Sequence, residues 1–177
     1  MPNWCENDLY IEGPKAEIER FLEAARNDTD GEETELDFNN FIPYPEKYDA
    51  ADKAREVAAK VQGVHCPVDS NGVQLKDGYN DGGYDWCCDN WGTKWNASEP
   101  GGEYGYEDEE ESTYVMHFST AWAPPTPVVK KMGEMFPKLT FQLTFFECGC
   151  AFNGVYAMKD GENTDDRTAD YFGNRGG

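Results

Sequence analysis

The sequence is short of positive charge and of histidine. It contains 15 lysine and arginine residues against 35 aspartate and glutamate residues, which gives a formal net charge of −20, and it has two histidines. A surface of this sign repels nucleic-acid phosphates and anionic lipid headgroups. We therefore expect no direct binding to nucleic acid and no association with a membrane.

Long apolar runs are missing as well. No stretch approaches the ~18 consecutive apolar residues of a membrane span, and no basic segment precedes an apolar one as in a secretory signal. We therefore expect a cytoplasmic protein. Aromatic residues are abundant, with 10 Phe, 10 Tyr and 5 Trp. Because aromatic side chains at this density must be buried or stacked, the sequence excludes a disordered chain.

The motifs of common catalytic and metal centres do not occur. Cys87 and Cys88 are adjacent, and one residue separates Cys148 from Cys150, whereas zinc ligands are usually spaced by about two to four residues. Neither phosphate-binding glycine motif occurs. We therefore expect a binding protein in preference to an enzyme, with no cofactor and no metal. Two alternatives stay open. One is a metal site assembled from distant cysteines, and the other is a magnesium-dependent hydrolase with scattered carboxylates.

The apolar pattern predicts two β-α-β units. In the first, a strand over 4–12 precedes a helix that carries Ile18, Phe21, Leu22 and Ala25 on one stripe, and a strand follows over 36–42. In the second, a strand over 113–121 precedes a helix over 127–136 and strands over 139–145 and 152–158. Two such units predict a ferredoxin-like split β-α-β fold, an α/β sandwich with an antiparallel sheet.

The composition also predicts the domain organisation. We expect one ferredoxin-like domain over residues 1–160, with a large insertion at about 44–112 between the two halves. That insertion is predicted to contain an alanine-rich helix from about residue 46 to 61 and a long loop over 63–83. The polar, glycine-containing segment 161–177 is predicted to be a frayed tail.

The segment 90–95, Asn-Trp-Gly-Thr-Lys-Trp, is the first candidate site. Its alternation predicts a strand with Trp91 and Trp95 on one side and Asn90 and Lys94 on the other. One cation beside two indoles suits the stacking of a nucleotide-like ligand, and Trp122 occurs in a further Trp-containing motif. The alternative is that these tryptophans fill the core.

An acidic block is the second candidate site. It comprises Glu107, Asp108, Glu109, Glu110 and Glu111, with Glu103 just before them and no lysine or arginine among them. Such a block repels itself and is predicted to be a mobile loop. It can imitate the charge of nucleic acid and bind a basic host protein, or it can simply belong to a surface charged for solubility.

Four groups of motifs resemble a known family. They are Met-Pro-Asn-Trp-Cys-Glu-Asn at 1–7, Asp-Trp at 85–86 with the 90–95 segment, Thr-Ala-Trp-Ala-Pro-Pro at 120–125, and Glu-Cys-Gly at 147–149 with Phe-Asn-Gly at 152–154. Together they resemble the YubB-type ferredoxin-like domain family of phages, prophages and conjugative plasmids, over residues 1 to about 158. The resemblance implies a ferredoxin-like fold, a mobile-element origin and no assigned biochemical function. It supplies no catalytic residues.

These observations lead to one expected function and two alternatives. We expect a phage or plasmid accessory protein that binds and neutralises a host component, a bacterial defence factor, through an acidic surface. The first alternative is a protein that binds a small nucleotide-like ligand on Trp91 or Trp95 with Lys94. The second is a structural or housekeeping phage protein.

Overall fold

A six-stranded antiparallel sheet organises the chain in the computed structural model, which describes residues 3–29 and 32–170. The strands of this sheet are β1 (Trp4–Gly13), β4 (Ser98–Tyr106), β5 (Ser112–Ala121), β6 (Thr140–Glu147), β7 (Phe152–Lys159) and β8 (Glu162–Asp170). A separate two-stranded hairpin consists of β2 (Asn27–Thr29) and β3 (Glu32–Thr34). The helices are α1 (Lys15–Ala25), α2 (Glu46–Gln62), α3 (Tyr84–Trp91) and α4 (Thr126–Met135).

The strand order confirms the ferredoxin-like prediction. The large sheet has the order β4-β5-β1-β6-β7-β8, and its neighbouring strands are antiparallel. The unit β1-α1-β4 is split by β5, and the unit β5-α4-β6 is split by β1. These two interleaved units form the four-stranded ferredoxin-like sheet, and β7 and β8 extend it at the β6 edge.

The second strand of the first unit was predicted in the wrong place. Residues 38–40 form a 3-10 turn in which the Asp37 side chain accepts a hydrogen bond from the Asn39 backbone N–H, so the predicted strand over 36–42 does not form. The strand that completes the unit is β4, inside the segment 44–112 that was predicted to be an insertion. Because β4 is a glycine-rich, partly exposed edge strand, it lacks the alternation that identifies a strand in sequence. The segment inserted into the ferredoxin-like unit therefore lies between α1 and β4 in the chain.

The prediction of a frayed tail is wrong for residues 162–170. They form β8, which pairs with β7 from Lys159–Glu162 to Phe152–Asp170, and residues 171–177 lie outside the described residues. The two-residue turn between the strands is Asp160-Gly161, with φ angles of 54° and 79°. Positive φ at both positions is the geometry of a type I′ hairpin turn, for which Asp-Gly is a preferred sequence.

The core lies between the helices α1 and α4 and one face of the sheet. Phe21 of α1 is fully buried and contacts the rings of Phe41, Phe136 and Phe141. From β1, every second side chain points to this face, and these residues are Cys5, Asn7, Leu9 and Ile11. The alternate side chains of β1 point to the opposite side, which we call the open face of the sheet.

None of the helices in the described part of the chain is long and apolar enough to cross a membrane.

Candidate functional site

Three partly exposed tryptophans meet at the end of the sheet where β1 begins and β5 ends. Trp4, Trp95 and Trp122 are 38%, 40% and 43% exposed. Trp4 pairs with Ala121 in the sheet, and the Trp122 backbone N–H donates a hydrogen bond of 3.0 Å to the Asn3 carbonyl, so the two tryptophans lie on neighbouring segments. The ring centroids of Trp4 and Trp95 are 6.2 Å apart. We call Trp4, Trp95 and Trp122 the tryptophan cluster.

Lys94 places its ammonium group at this cluster. Its Nζ lies 4.1 Å from the centroid of Trp95 and 5.8 Å from that of Trp122. At these distances the negative faces of the indole rings attract the cation. The structure therefore brings together Lys94, Trp95 and Trp122, three of the residues singled out from sequence.

Asn90 and Trp91 have other roles, because the predicted strand over 90–95 is wrong. Both residues belong to α3, which is followed by Gly92 with a φ of 78°. Trp91 is 4% exposed and donates a hydrogen bond of 2.8 Å from Nε1 to the Ile42 carbonyl. The Asn90 side chain donates to the Trp86 carbonyl at 2.9 Å. Trp91 thus fills the core, where it contacts the rings of Phe38, Tyr44 and Trp86.

An open pocket of about 210 Å³ is lined in part by Lys94 and Trp95. Its walls include the rings of Tyr44, Tyr79, Trp91 and Trp95, and we call it the aromatic cavity. Asp52 of α2 also lines it, accepting hydrogen bonds from the Tyr79 backbone N–H at 3.1 Å and from the Tyr44 hydroxyl at 3.3 Å. No sequence pattern marks Tyr44, Asp52 and Tyr79, because they come from separate segments with no shared spacing.

Asp52 and Lys94 are the two lining residues of the aromatic cavity that carry charge. Burial raises the pKa of Tyr79 to about 12 and that of the Cys87 thiol to about 12, so both groups are neutral at pH 7. The pKa of Tyr44 is also raised, by burial first and then by the charge of Asp52. The cavity therefore combines neutral aromatic walls with one carboxylate and one ammonium group.

The open face of the sheet is acidic. Glu6, Asp8 and Glu12 alternate along β1 and point away from the helices, and Glu103 of β4 pairs with Val115 of β5 on the same side. The described strands β1, β4, β5 and β6 contain no lysine or arginine, and Arg167, which β8 places on the same face, is paired with Asp165 at 2.6 Å. The carboxylates continue directly from Trp4, so the tryptophan cluster forms one end of this acidic surface.

Asp8 has a histidine neighbour on the open face. His117 of β5 pairs with Asp8 across the sheet, and its Nδ1 lies 2.7 Å from Asp8 Oδ1. The imidazole side chain is 58% exposed. His117 therefore belongs to the acidic surface and not to the core.

The acidic block connects β4 to β5 and has a defined turn. The Ser112 hydroxyl donates to the Asp108 carbonyl at 2.6 Å, and the Glu110 backbone N–H donates to Asp108 Oδ1 at 3.1 Å. Glu107 forms an ion pair of 3.1 Å with Lys15. The block lies at the start of β5 and the tryptophan cluster at its end, which separates them by about 30 Å. The two predicted sites are therefore not one site.

No metal centre is evident in the part of the chain that the structure describes. It contains no group of three or more histidine, cysteine, aspartate or glutamate side chains placed to hold a metal ion. None of the six cysteines, which all lie within the described residues, forms a disulfide, and Cys66, Cys148 and Cys150 are exposed.

Taken together, the sheet, the helices and these surfaces define a ferredoxin-like α+β protein with an acidic open face and an aromatic cluster at one end of it. A family model described as the ferredoxin-like domain in Api92-like protein matches residues 90–173. The matched segment continues beyond residue 160, as expected if β8 belongs to the domain.

A solved structure has the same overall fold. The crystal structure of the protein api92 from Yersinia pseudotuberculosis is similar to this chain with a TM-score of 0.57 and 10% sequence identity. The similarity covers 98% of this chain and 99% of that one. No curated protein matches the sequence. At this level of identity the likeness shows the fold and assigns no activity.

Proposed function

We propose that the protein is an accessory protein of a phage or plasmid that binds and neutralises a basic host protein, a nucleic-acid-handling defence factor. The observation that carries the proposal is the open face of the sheet, where Glu6, Asp8, Glu12 and Glu103 lie on strands without lysine or arginine. The resemblance to the YubB-type family supports the mobile-element origin.

The position of the carboxylates supports a mimic of nucleic acid. In RNA-binding domains that use a four-stranded sheet, the open sheet surface stacks bases on its aromatic residues. Here the corresponding surface carries Glu6 and Asp8 about 7 Å apart along β1, and Glu12 lies about 14 Å beyond Asp8, with Tyr10 between them. Such a surface repels nucleic acid and attracts proteins that bind it.

The net charge adds long-range attraction to this surface. With a net charge of −20, the protein's field speeds encounter with a basic partner, and salt screens that attraction. The partly exposed tryptophan cluster adds an aromatic anchor of the kind that dominates many interfaces. Association is therefore expected to weaken steeply as salt concentration rises.

The test neutralises the open face and compares it with a matched control. The face variant carries Glu6→Gln, Glu12→Gln and Glu103→Gln, which leaves Asp8 and its histidine contact intact. The control carries three Glu→Gln changes on the helices, at Glu23, Glu46 and Glu134, and so has the same net charge.

The readout is capture of basic, nucleic-acid-binding proteins from bacterial lysate on the immobilised protein, at several salt concentrations. We expect the unmodified protein and the helix control to retain them and the face variant to lose them. For each retained protein, addition of the unmodified protein is expected to inhibit its binding to DNA or RNA. Equal capture by all three proteins, or capture without inhibition, would contradict the proposal.

The position of Lys94 favours a second candidate function, the binding of a nucleotide-like ligand. Its ammonium group lies near both Trp95 and Trp122, where it can pair with a phosphate while a base stacks on an exposed indole. The measurement is tryptophan fluorescence during titration with AMP and ATP. We expect quenching that Lys94→Gln weakens, and the absence of quenching at millimolar nucleotide would rule this function out.

A further inference from the structure

We infer that the aromatic cavity binds a guanidinium group, supplied by an arginine side chain of the basic partner. The inference deepens the proposed function and rests on it for the source of the arginine. The cavity itself is defined by Tyr44, Tyr79, Trp91 and Trp95 with the carboxylate of Asp52.

The size of the aromatic cavity favours one side chain over a whole ligand. Its volume is about 210 Å³, whereas pockets for drug-sized small molecules begin at about 300 Å³. A nucleotide with its phosphates is therefore larger than this pocket. A planar guanidinium group with its last methylene groups is small enough to fit into this volume.

The walls of the aromatic cavity favour a cation. Four rings from separate segments line it, and the centroids of Tyr44 and Trp91 are 6.0 Å apart. The faces of such rings are negative and attract a guanidinium group, which can also stack on them. Tyr44 and Tyr79 both have raised pKa values, so their phenols stay neutral across the physiological range.

Asp52 supplies a carboxylate with a fixed orientation. The backbone N–H of Tyr79 donates to its Oδ1, and the hydroxyl of Tyr44 donates to its Oδ2. A carboxylate has about four lone-pair positions, so each oxygen can accept a further hydrogen bond. Asp52 can therefore receive guanidinium N–H groups, and pairs of this kind are among the stronger hydrogen bonds in proteins.

Lys94 makes the inference sharply testable. Its ammonium group already lies 4.1 Å from the centroid of Trp95, which forms part of the same wall. The contact places one positive charge next to this wall, and that charge repels a second cation. Removing the charge of Lys94 should therefore strengthen binding of a guanidinium group, whereas it should weaken binding of a phosphate.

The experiment uses the full chain with N-acetyl-arginine methylamide as the probe and the citrulline analogue as its uncharged control. Binding is measured by tryptophan fluorescence and by NMR shifts of the indole N–H groups. We expect the arginine probe to bind at least tenfold more tightly than the citrulline probe. Asp52→Asn should weaken arginine binding about tenfold, and Lys94→Gln should strengthen it severalfold. Circular dichroism and thermal melting of each variant establish that it is folded, and Asp52→Ser, which also removes the carboxylate, replaces Asp52→Asn if the latter is not.

The outcomes separate this inference from the proposed function. Equal binding of the two probes, an unchanged affinity in the folded Asp52 variant, or weaker binding in Lys94→Gln would overturn the inference. The open-face variant at Glu6, Glu12 and Glu103 should bind the arginine probe as the unmodified protein does, while losing capture of the basic partner. If capture fails in every protein but the probe binds as described, the cation site stands and the proposed function fails.

Discussion

The network around Asp37 provides a quantitative prediction about stability. Asp37 is 5% exposed and accepts four hydrogen bonds. They come from Asn27 Nδ2 at 2.5 Å, from the backbone N and the Nδ2 of Asn39, both at 2.8 Å, and from Asn96 Nδ2 at 2.7 Å. Asn96 in turn accepts from the Phe38 backbone N–H at 2.9 Å. One carboxylate thus joins β2, the 3-10 turn and the segment before β4.

The expected cost of a mutation follows from these contacts. In Asp37→Asn, one carbonyl oxygen can still accept from Asn39 and Asn96, but the new amide group faces the side-chain donor of Asn27. The loss of one hydrogen bond to a charged acceptor costs about 1.5–3 kcal/mol. Asp37→Ala removes all four bonds and is expected to cost about 3–5 kcal/mol, by comparison with the removal of one partner from a buried charged pair. Either loss is a large part of the roughly 5–15 kcal/mol that stabilises a domain.

The pH dependence of the free energy of unfolding provides an internal check. Burial acts to raise the pKa of Asp37, but the hydrogen bonds from Asn39, Asn96 and Asn27 outweigh it, so the pKa lies below its usual value. A lowered pKa in the folded state stabilises the protein above the unfolded pKa of about 3.9, and this contribution disappears as the pH falls through the folded pKa. The difference between the unmodified protein and Asp37→Asn should therefore shrink below about pH 4.

Urea denaturation followed by circular dichroism at pH 7 and at several acidic pH values measures both effects. Because the other carboxylates are common to both proteins, the difference between the two curves reports on Asp37. An Asp37→Asn protein with an unchanged urea midpoint at pH 7, or a stability difference that is constant from pH 7 to pH 3, would refute the reasoning.

Three further predictions concern other parts of the fold. Gly92→Ala should lower the free energy of unfolding by about 1–2 kcal/mol, measured by urea denaturation, because φ there is 78° and a Cβ would lie 2.8 Å from Pro127 Cδ; an unchanged stability would contradict this. The Cys150 thiol should react more slowly with iodoacetamide at pH 8 in the folded protein than in urea, because its hydrogen bond to Glu147 raises its pKa; equal rates by peptide mass spectrometry would argue against it. Replacing residues 107–111 with Gln and Asn should reduce the salt dependence of partner binding, and an unchanged affinity and salt slope would exclude the acidic block from the interface.

Much of the fold could be predicted from local patterns in the sequence. The strict alternation in β1, β5 and β6 and the apolar stripe of α1 identified these elements, because each has one face against the core and one toward solvent. The unit β5-α4-β6, followed by β7, was located within a few residues for the same reason. The Asp-Gly sequence at 160–161 is typical of the turn that joins β7 and β8. The polar composition of β8, however, does not indicate a strand.

The tertiary structure alone decided the edge strands and the candidate site. β4 and β8 carry few buried side chains, so their sequences show no alternation of apolar and polar residues. These two strands form because their backbones pair with a neighbouring strand. Lys94 and Trp95 are adjacent in sequence, but Trp4 and Trp122 join them only because β1 and β5 pair antiparallel. The aromatic cavity combines side chains from five separate segments of the chain. Local sequence patterns report which side of an element is buried, whereas contacts between distant segments depend on how the packed elements meet.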